Sequence, residues 1–279
     1  MRNPTIAWMV ALAAVLAFSS AALAQSAPPP AGWLHCPRCQ GAKDRAEAFE
    51  KYKVAGHPFD PHDLSGVWGF NGVELDVMAV PPLTAWGKEQ YDATRSEETA
   101  IGPVSNSKDG MLLCDPLGYP RLFAYNYGFQ FAMLPDKVVQ FFEFGHTWRD
   151  IWTDGRALPD DPPQARWMGY AVGRWEGDTF VIESNGYDDR SWLSEDRRDR
   201  RWGFPHSDEL RVVERYKRTS FGTMDASLTI IDPKTYKKPW TTTGKINLSP
   251  GAELGEYMCV PSESEQFNRE YIRPAAGSK

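Results

Sequence analysis

Downstream of residue 120 the apolar positions fall in short runs, many alternating with polar ones, separated by Gly, Pro and Asp turns. This is the pattern of strands with one face turned to a core. Leu122 to Met133 is dense in Phe and Tyr, and Val138 to Phe144 is a short apolar run. Trp148 to Thr153 alternates: Trp148, Asp150 and Trp152 share one face, Arg149, Ile151 and Thr153 the other. Tyr170 to Trp175 and Thr179 to Ser184 flank Glu176-Gly177-Asp178, a hairpin turn with Gly where a positive φ is wanted. Leu210 to Arg218 alternates as well, and Ser227 to Ile231 and Thr241 to Leu248 complete the set. Helical composition is confined to Asp44 to Lys53 and to Leu83 to Arg95, which follows Pro81-Pro82, and Thr99 to Gly110 reads as a polar loop. Strands on short turns, with helices only near the start, predict an all-β fold: an antiparallel β-barrel or a bent sandwich with one or two short N-terminal helices.

The first strand is marked by Gly66-Val67-Trp68, which closes the run Asp63-Leu64-Ser65-Gly66-Val67-Trp68. A Gly there lets another backbone pass close by, and the Trp plugs the barrel floor. The barrel is therefore expected over residues 63–260. It is preceded by a linker and short helix over 25–62 and followed by a tail over 261–279.

The N-terminus reads as a signal peptide over 1–24. Arg2 supplies the positive charge, Ile6 to Phe18 the apolar stretch, and Ala22-Leu23-Ala24 the small-residue cleavage site before Gln25. The expected location is periplasmic or secreted, with no membrane span once the signal is removed. The formal charge of -6 offers no basic surface for nucleic acid. Of the 11 Trp, only Trp8 falls in the signal segment, so the remainder serve a core, a stacking face or an aromatic-lined pocket.

Four cysteines in an exported chain point to disulfides, with three possible connectivities. The preferred pairing joins Cys114 to Cys259, at either end of the strand-rich region, and leaves Cys36 and Cys39 as a local bridge. Cys36, Cys39, His57 and His62 also have a C-x2-C-x17-H-x4-H spacing, near a zinc pattern but with a longer central gap, and the oxidising context weighs against it. Cys36-Pro37-Arg38-Cys39 as a redox pair is a further alternative. No metal and no cofactor are expected.

Strict alternation places Glu214 with Leu210, Val212 and Tyr216 on the apolar face. A carboxylate there either pairs with an Arg in the core, Arg149 or Arg156, or lines a pocket with a raised pKa. His206 follows the turn Gly203-Phe204-Pro205 and is a candidate general acid or base at a barrel rim, with His146 second. Asp188 and Asp189 fall in a candidate rim loop, while Glu176 and Asp178 are read as structural. Phosphate-binding Gly loops, the Gly-x-Ser-x-Gly elbow and His-Glu-x-x-His are absent.

Several stretches resemble a family of exported bacterial proteins of uncharacterised function: Asp-Leu-Ser-Gly-Val-Trp (63–68), Cys-Asp-Pro-Leu-Gly-Tyr-Pro-Arg (114–121), Arg-Asp-Ile-Trp-Thr-Asp-Gly-Arg (149–156) and above all Gly-Arg-Trp-Glu-Gly-Asp-Thr (173–179). The resemblance implies a single lipocalin-like domain and supplies no activity. The segment Glu195 to Arg201, with four Arg, is more charged than the family pattern.

Three functions stay open on these residues. The first is a barrel whose aromatic pocket, formed by Trp148, Asp150, Trp152 and Tyr216, binds a small aromatic or apolar molecule. It could transform that molecule by cofactor-free lyase, isomerase or hydrolase chemistry, with His206 as acid or base, Glu214 its complement and Arg149 an anion stabiliser. The second is an envelope ligand- or carbohydrate-binding protein without turnover. The third is thiol redox at Cys36 and Cys39. Convergence of His206, Glu214 and Arg149 in one pocket would favour catalysis, and separate pairing would favour binding. Oligomeric state is not legible.

Overall fold

The computed structural model of the chain describes residues 50–69, 81–96, 108–125, 127–196 and 203–267, with 47, 98–99, 102–103 and 269–270. The signal segment, Cys36 and Cys39 lie outside the described residues, as does half of the first expected helix. Among the described residues the strands are β1 (Gly66–Gly69), β2 (Glu98–Thr99), β3 (Gly102–Pro103), β4 (Gly128–Met133), β5 (Lys137–Phe142), β6 (Thr147–Trp152), β7 (Tyr170–Glu176), β8 (Thr179–Asn185), β9 (Ser194–Glu195), β10 (Gly203–Phe204), β11 (Arg211–Ser220), β12 (Thr223–Ile231) and β13 (Trp240–Leu248). Nine of them close a barrel in the order β1-β13-β12-β11-β8-β7-β6-β5-β4, while β2/β3 and β9/β10 form separate two-stranded ribbons. The helix expected near residues 83–95 is present as Ala85–Ala93, capped by the Thr84 side chain on Gly87 N.

An odd number of strands cannot close with every neighbour antiparallel, so one junction must break the alternation. It falls between β6 and β7, which run parallel and pair only at Ile151↔Ala171 and Trp152↔Val172. Residues 153–169 form the crossover that a parallel junction requires. The other junctions are antiparallel, as the alternating pattern predicts. The first half of β6 is thereby left without a partner on its β7 side.

The inward faces read as the alternation requires: along β11, Val212, Glu214, Tyr216 and Arg218 are buried while Arg211, Arg215 and Lys217 are exposed. Phe129 and Phe131 of β4, Phe142 of β5 and Tyr216 of β11 fill the barrel together with Tyr119 and Phe123. Each such ring removed from water contributes on the order of 1.5–3 kcal/mol. Leu122 to Met133 is not one strand. Arg121–Ala124 makes a helical turn before β4 starts at Gly128. The turn is held by Arg121, whose guanidinium donates to both carboxylate oxygens of the buried Asp109, and it drives Phe123 into the barrel.

One end of the barrel is closed by Trp68. Its ring is fully buried, its Nε1 donates to Leu64 O at 2.8 Å, and the Arg218 guanidinium lies 5.2 Å over it. Arg218 in turn donates to the carbonyls of Asp63 and Phe221, joining the ends of β1 and β11. Gly66 lies at φ +122°, and a Cβ there would fall 2.7 Å from Leu248 Cδ1 of β13.

Candidate ligand-binding site

Arg149 and Glu214 meet inside the barrel. Nη1 and Nη2 of Arg149 donate to Oε1 and Oε2 of Glu214 at 2.8 and 2.7 Å, and Nε donates to Gln140 Oε1 at 2.8 Å. Tyr119 and Tyr216 each give their hydroxyl to Glu214 Oε2, at 2.5 and 2.7 Å, and the Tyr119 ring stacks 3.6 Å from the guanidinium. Glu214 is 0% exposed. Burial works against the Arg149 charge, but the Glu214 carboxylate and the tyrosines outweigh it and leave the guanidinium pKa raised. Burial pushes both tyrosine hydroxyls up as well, with Arg149 opposing and Glu214 reinforcing, so they remain donors. Three of these donors converge on Oε2 and one reaches Oε1. Glu214 is therefore one partner of a fully buried ion pair, and the charge of Arg149 is already matched. Tyr216 belongs to this interior cluster, not to the face that carries Trp148.

His206 belongs to a different network. It is 2% exposed, with Nδ1 3.1 Å from Ser207 O and Nε2 2.9 Å from Ser191 Oγ. A carbonyl can only accept, so Nδ1 carries the proton and Nε2 receives the Ser191 hydroxyl. Burial lowers the His206 pKa, against the pull of Ser207 O and of Asp232, Asp189 and Asp188, which favours this neutral form. The ring of Tyr187 stands between strand β8 and this histidine, at 6.3 Å centroid separation. The structure thus brings Arg149 and Glu214 together and holds His206 apart. His146 sits at a turn with φ +43°. Asp188 accepts two hydrogen bonds from Arg190, at 2.8 and 2.6 Å.

The outward face of β6 is where the chain opens to solvent. Trp148, Asp150 and Trp152 line a cleft of about 540 Å³ with Gln164 to Gly169 from the crossover, Tyr170 and Ala171 from the start of β7, and Asp188 and Arg190 beyond them. The cleft follows from the parity junction: β6 and β7 diverge above their two paired positions, and the crossover walls the gap. Arg149 contributes to its floor while its guanidinium turns inward. The aromatic rings are not equivalent. Arg156 covers Trp152 at 3.7 Å and Arg190 covers Trp167 at 4.5 Å, whereas Trp148 is 58% exposed. Asp150 is tied to Lys137 at 2.9 Å and Arg190 to Asp188, but Arg166 has no carboxylate partner among the described residues.

A second cavity of about 240 Å³ adjoins the first, and Pro116, Thr147 and Met168 line both. Its walls are mostly apolar, with Met111, Leu122, Phe144 and Met258, Asp115 is the one charged residue among them, and the Cys114–Cys259 disulfide forms one side. That disulfide is the expected pairing. The segment that carries Cys259 is also fixed by Gly145 N to Tyr257 O at 2.7 Å and by Gly255 N to Glu143 Oε1 at 3.1 Å.

His57 stacks on Phe221 at 4.0 Å, while His62 stacks on Trp175 at 4.3 Å and meets Gly177 O at 3.0 Å. The two histidines of the zinc-like spacing thus lie against different elements. Among the described residues no three His, Cys, Asp or Glu gather as metal ligands, and no helix is long and apolar enough to cross a membrane.

Sequence reasoning missed Tyr119, Gln140 and the crossover residues Arg166 and Trp167. A cue was present for the last two: an Arg-Trp-Met run inside a proline-led loop (Pro162 to Met168) has no place in a strand and offers aromatic and cationic groups together. Comparison with models of protein families, with curated proteins and with solved structures finds no match for this chain.

Proposed function

We propose that this chain is an exported binding protein, periplasmic or secreted, whose ligand is a small aromatic or partly apolar molecule seated in the cleft along the β6/β7 junction. The observation that carries the reading is the open Trp148 ring at the lip of that cleft. An indole left uncovered beside a concave, aromatic-walled site has apolar area to offer a partner. Binding is favoured over turnover because Glu214 is fully buried in its ion pair with Arg149 and His206 is buried in a separate network with Ser191 and Ser207. Export is supported by the tripartite N-terminal pattern and by a disulfide, which suits an oxidising compartment. The barrel form is compatible with a lipocalin-like carrier.

Intrinsic tryptophan fluorescence tests the site. A panel of one- and two-ring aromatic acids and their neutral analogues is titrated into the protein and into Trp148→Ala. We expect saturable quenching and a loss of affinity of about three- to tenfold in the variant. No saturable response to any member, or identical curves for both proteins, removes the reading. For the export part, mass analysis of material recovered from outside the cytoplasm should give a chain beginning at Gln25.

A further inference from the structure

The two adjoining cavities differ in chemistry. The larger offers flat stacking surface and cationic side chains at Trp148, Arg166 and Arg190. The smaller is walled mainly by thioether, aliphatic and aromatic groups at Met111, Leu122, Phe144 and Met258, and its one charged lining residue, Asp115, is an anion that sends the ligand's own anion to the other cleft. Met side chains adapt their shape to irregular apolar partners at little cost. From this polarity, and resting on the reading above, we infer that the ligand is an anionic aromatic molecule carrying an apolar arm. The ring lies against Trp148, the anion faces Arg166, and the arm passes Pro116, Thr147 and Met168 into the smaller cavity.

Charge complementarity selects the anion. Within the larger cleft the guanidinium of Arg149 is matched by Glu214, that of Arg190 by Asp188, and Asp150 by Lys137. Arg166 is the cation left over among the described residues that line the cleft, so the site carries one unmatched positive charge. A guanidinium with open donors favours a carboxylate, which it can engage bidentately. Volume sets the arm. At roughly 30 Å³ per water-sized group, a cavity of about 240 Å³ accepts on the order of eight carbon units. The arm is separate from the barrel interior, which Tyr119, Phe123, Phe129, Phe131 and Tyr216 already fill. One wall of the smaller cavity is Met258 and Cys259, tethered across to Cys114, so the disulfide defines the space that receives the arm.

The test is calorimetric titration of the full chain with 4-alkylbenzoates from methyl to decyl, with 4-octylbenzamide as the neutral match. The expected result is a gain of about two- to fourfold in affinity per added methylene. The gain should continue to roughly eight carbons and then flatten. The benzamide should bind about tenfold or more weakly than the octylbenzoate. Arg166→Gln should erase the difference between acid and amide. Met258→Glu, at a side chain more than half exposed and so tolerant of a charge, should flatten the chain-length series while 4-methylbenzoate still binds. Benzoates that bind without chain-length dependence overturn this inference and leave the proposed binding function standing. Equal binding of acid and amide overturns the anionic part in the same way. If other aromatic molecules quench Trp148 saturably and no benzoate binds, the ligand class is wrong. If nothing binds, both readings fall.

Discussion

Arg149 of β6 grips Glu214 of β11 across the barrel interior through two parallel hydrogen bonds of 2.8 and 2.7 Å, with β7 and β8 between them in the sheet. The position of this pair answers a local deficit. β6 is joined to β7 at only two residue positions, and Arg149 lies in the half that β7 leaves unpaired. The ion pair ties that half to the far wall, so the barrel stays closed beside an outer cleft. The same junction that leaves the outer cleft is thus bridged inside the barrel by an ion pair.

The first prediction concerns that tether. Glu214→Gln preserves shape but leaves the Arg149 charge buried and unmatched, which costs about 3–5 kcal/mol. For a domain of this size the melting temperature should fall by roughly 6–20 °C. Arg149→Met combined with Glu214→Gln should recover part of the loss, since the stranded charge is gone. Thermal unfolding of the three proteins decides the matter. An unchanged melting temperature in Glu214→Gln would mean that the pair carries no net stability.

Period-two alternation places Glu214 with Tyr216 on the apolar face of their strand and sets Trp148, Asp150 and Trp152 opposite Arg149 on theirs, because side-chain direction in a strand follows position parity. Parity alone does not say which face of β6 turns inward, and the pocket expected to unite Tyr216 with Trp148 is divided by the barrel wall. Arg149 and Arg156 stand equally in the sequence as partners of Glu214; the structure pairs Arg149 with Glu214 and Arg156 with Asp154. The hydroxyl of Tyr119 is not legible there as a partner, since its approach depends on how residues 114–125 pack over the barrel end, a long-range contact with no local period. The parallel junction escaped for the same reason: strand count and closure are global properties, while each run read singly fits an antiparallel sheet. Leu122 to Ala124 reads as the start of a strand because a buried helical turn and a buried strand look alike over so few apolar residues.

A second prediction addresses the floor of the barrel. Gly66 has φ +122° and no room for a Cβ beside Leu248. Gly66→Ala therefore meets both backbone strain and a clash, and should destabilise by more than about 1 kcal/mol. Urea unfolding should show a lower midpoint with the slope retained. A variant as stable as the parent would remove the glycine from the account of how β1 seats against β13.

The third prediction concerns Cys114–Cys259, which closes a loop with a sequence separation of 145. In the chain-entropy model such a crosslink contributes on the order of 4–5 kcal/mol. Cys114→Ser with Cys259→Ser should lower the unfolding midpoint substantially under oxidising conditions. Added reductant should lower the parent and leave the double variant unmoved. Non-reducing peptide mapping should recover one linked peptide containing both residues, and free thiols at both positions would refute the bridge.

The last prediction is a pH dependence centred on His206. Burial lowers its folded pKa below the ordinary histidine value of 6.5. Above that value the imidazole is neutral in both folded and unfolded chains, and the folded state bears no penalty. As pH falls below about 6.5 the unfolded chain takes up a proton that the folded one resists, so stability declines until the folded pKa is passed. The neutral ring can receive the Ser191 hydroxyl at Nε2, whereas a protonated ring would donate to Ser191 Oγ and turn that hydroxyl toward Asp188 O, 3.3 Å away. Asp188, Asp189 and Asp232 oppose the shift but do not cancel it. His206→Gln removes the titrating group while keeping a polar side chain at the site. Its unfolding free energy between about pH 6.5 and pH 5 should therefore fall less steeply than that of the parent, whereas the two should run parallel above pH 7. Parallel curves through the whole range would mean that His206 titrates alike in the folded and unfolded chains, and that its contact with Ser191 has no preferred protonation state.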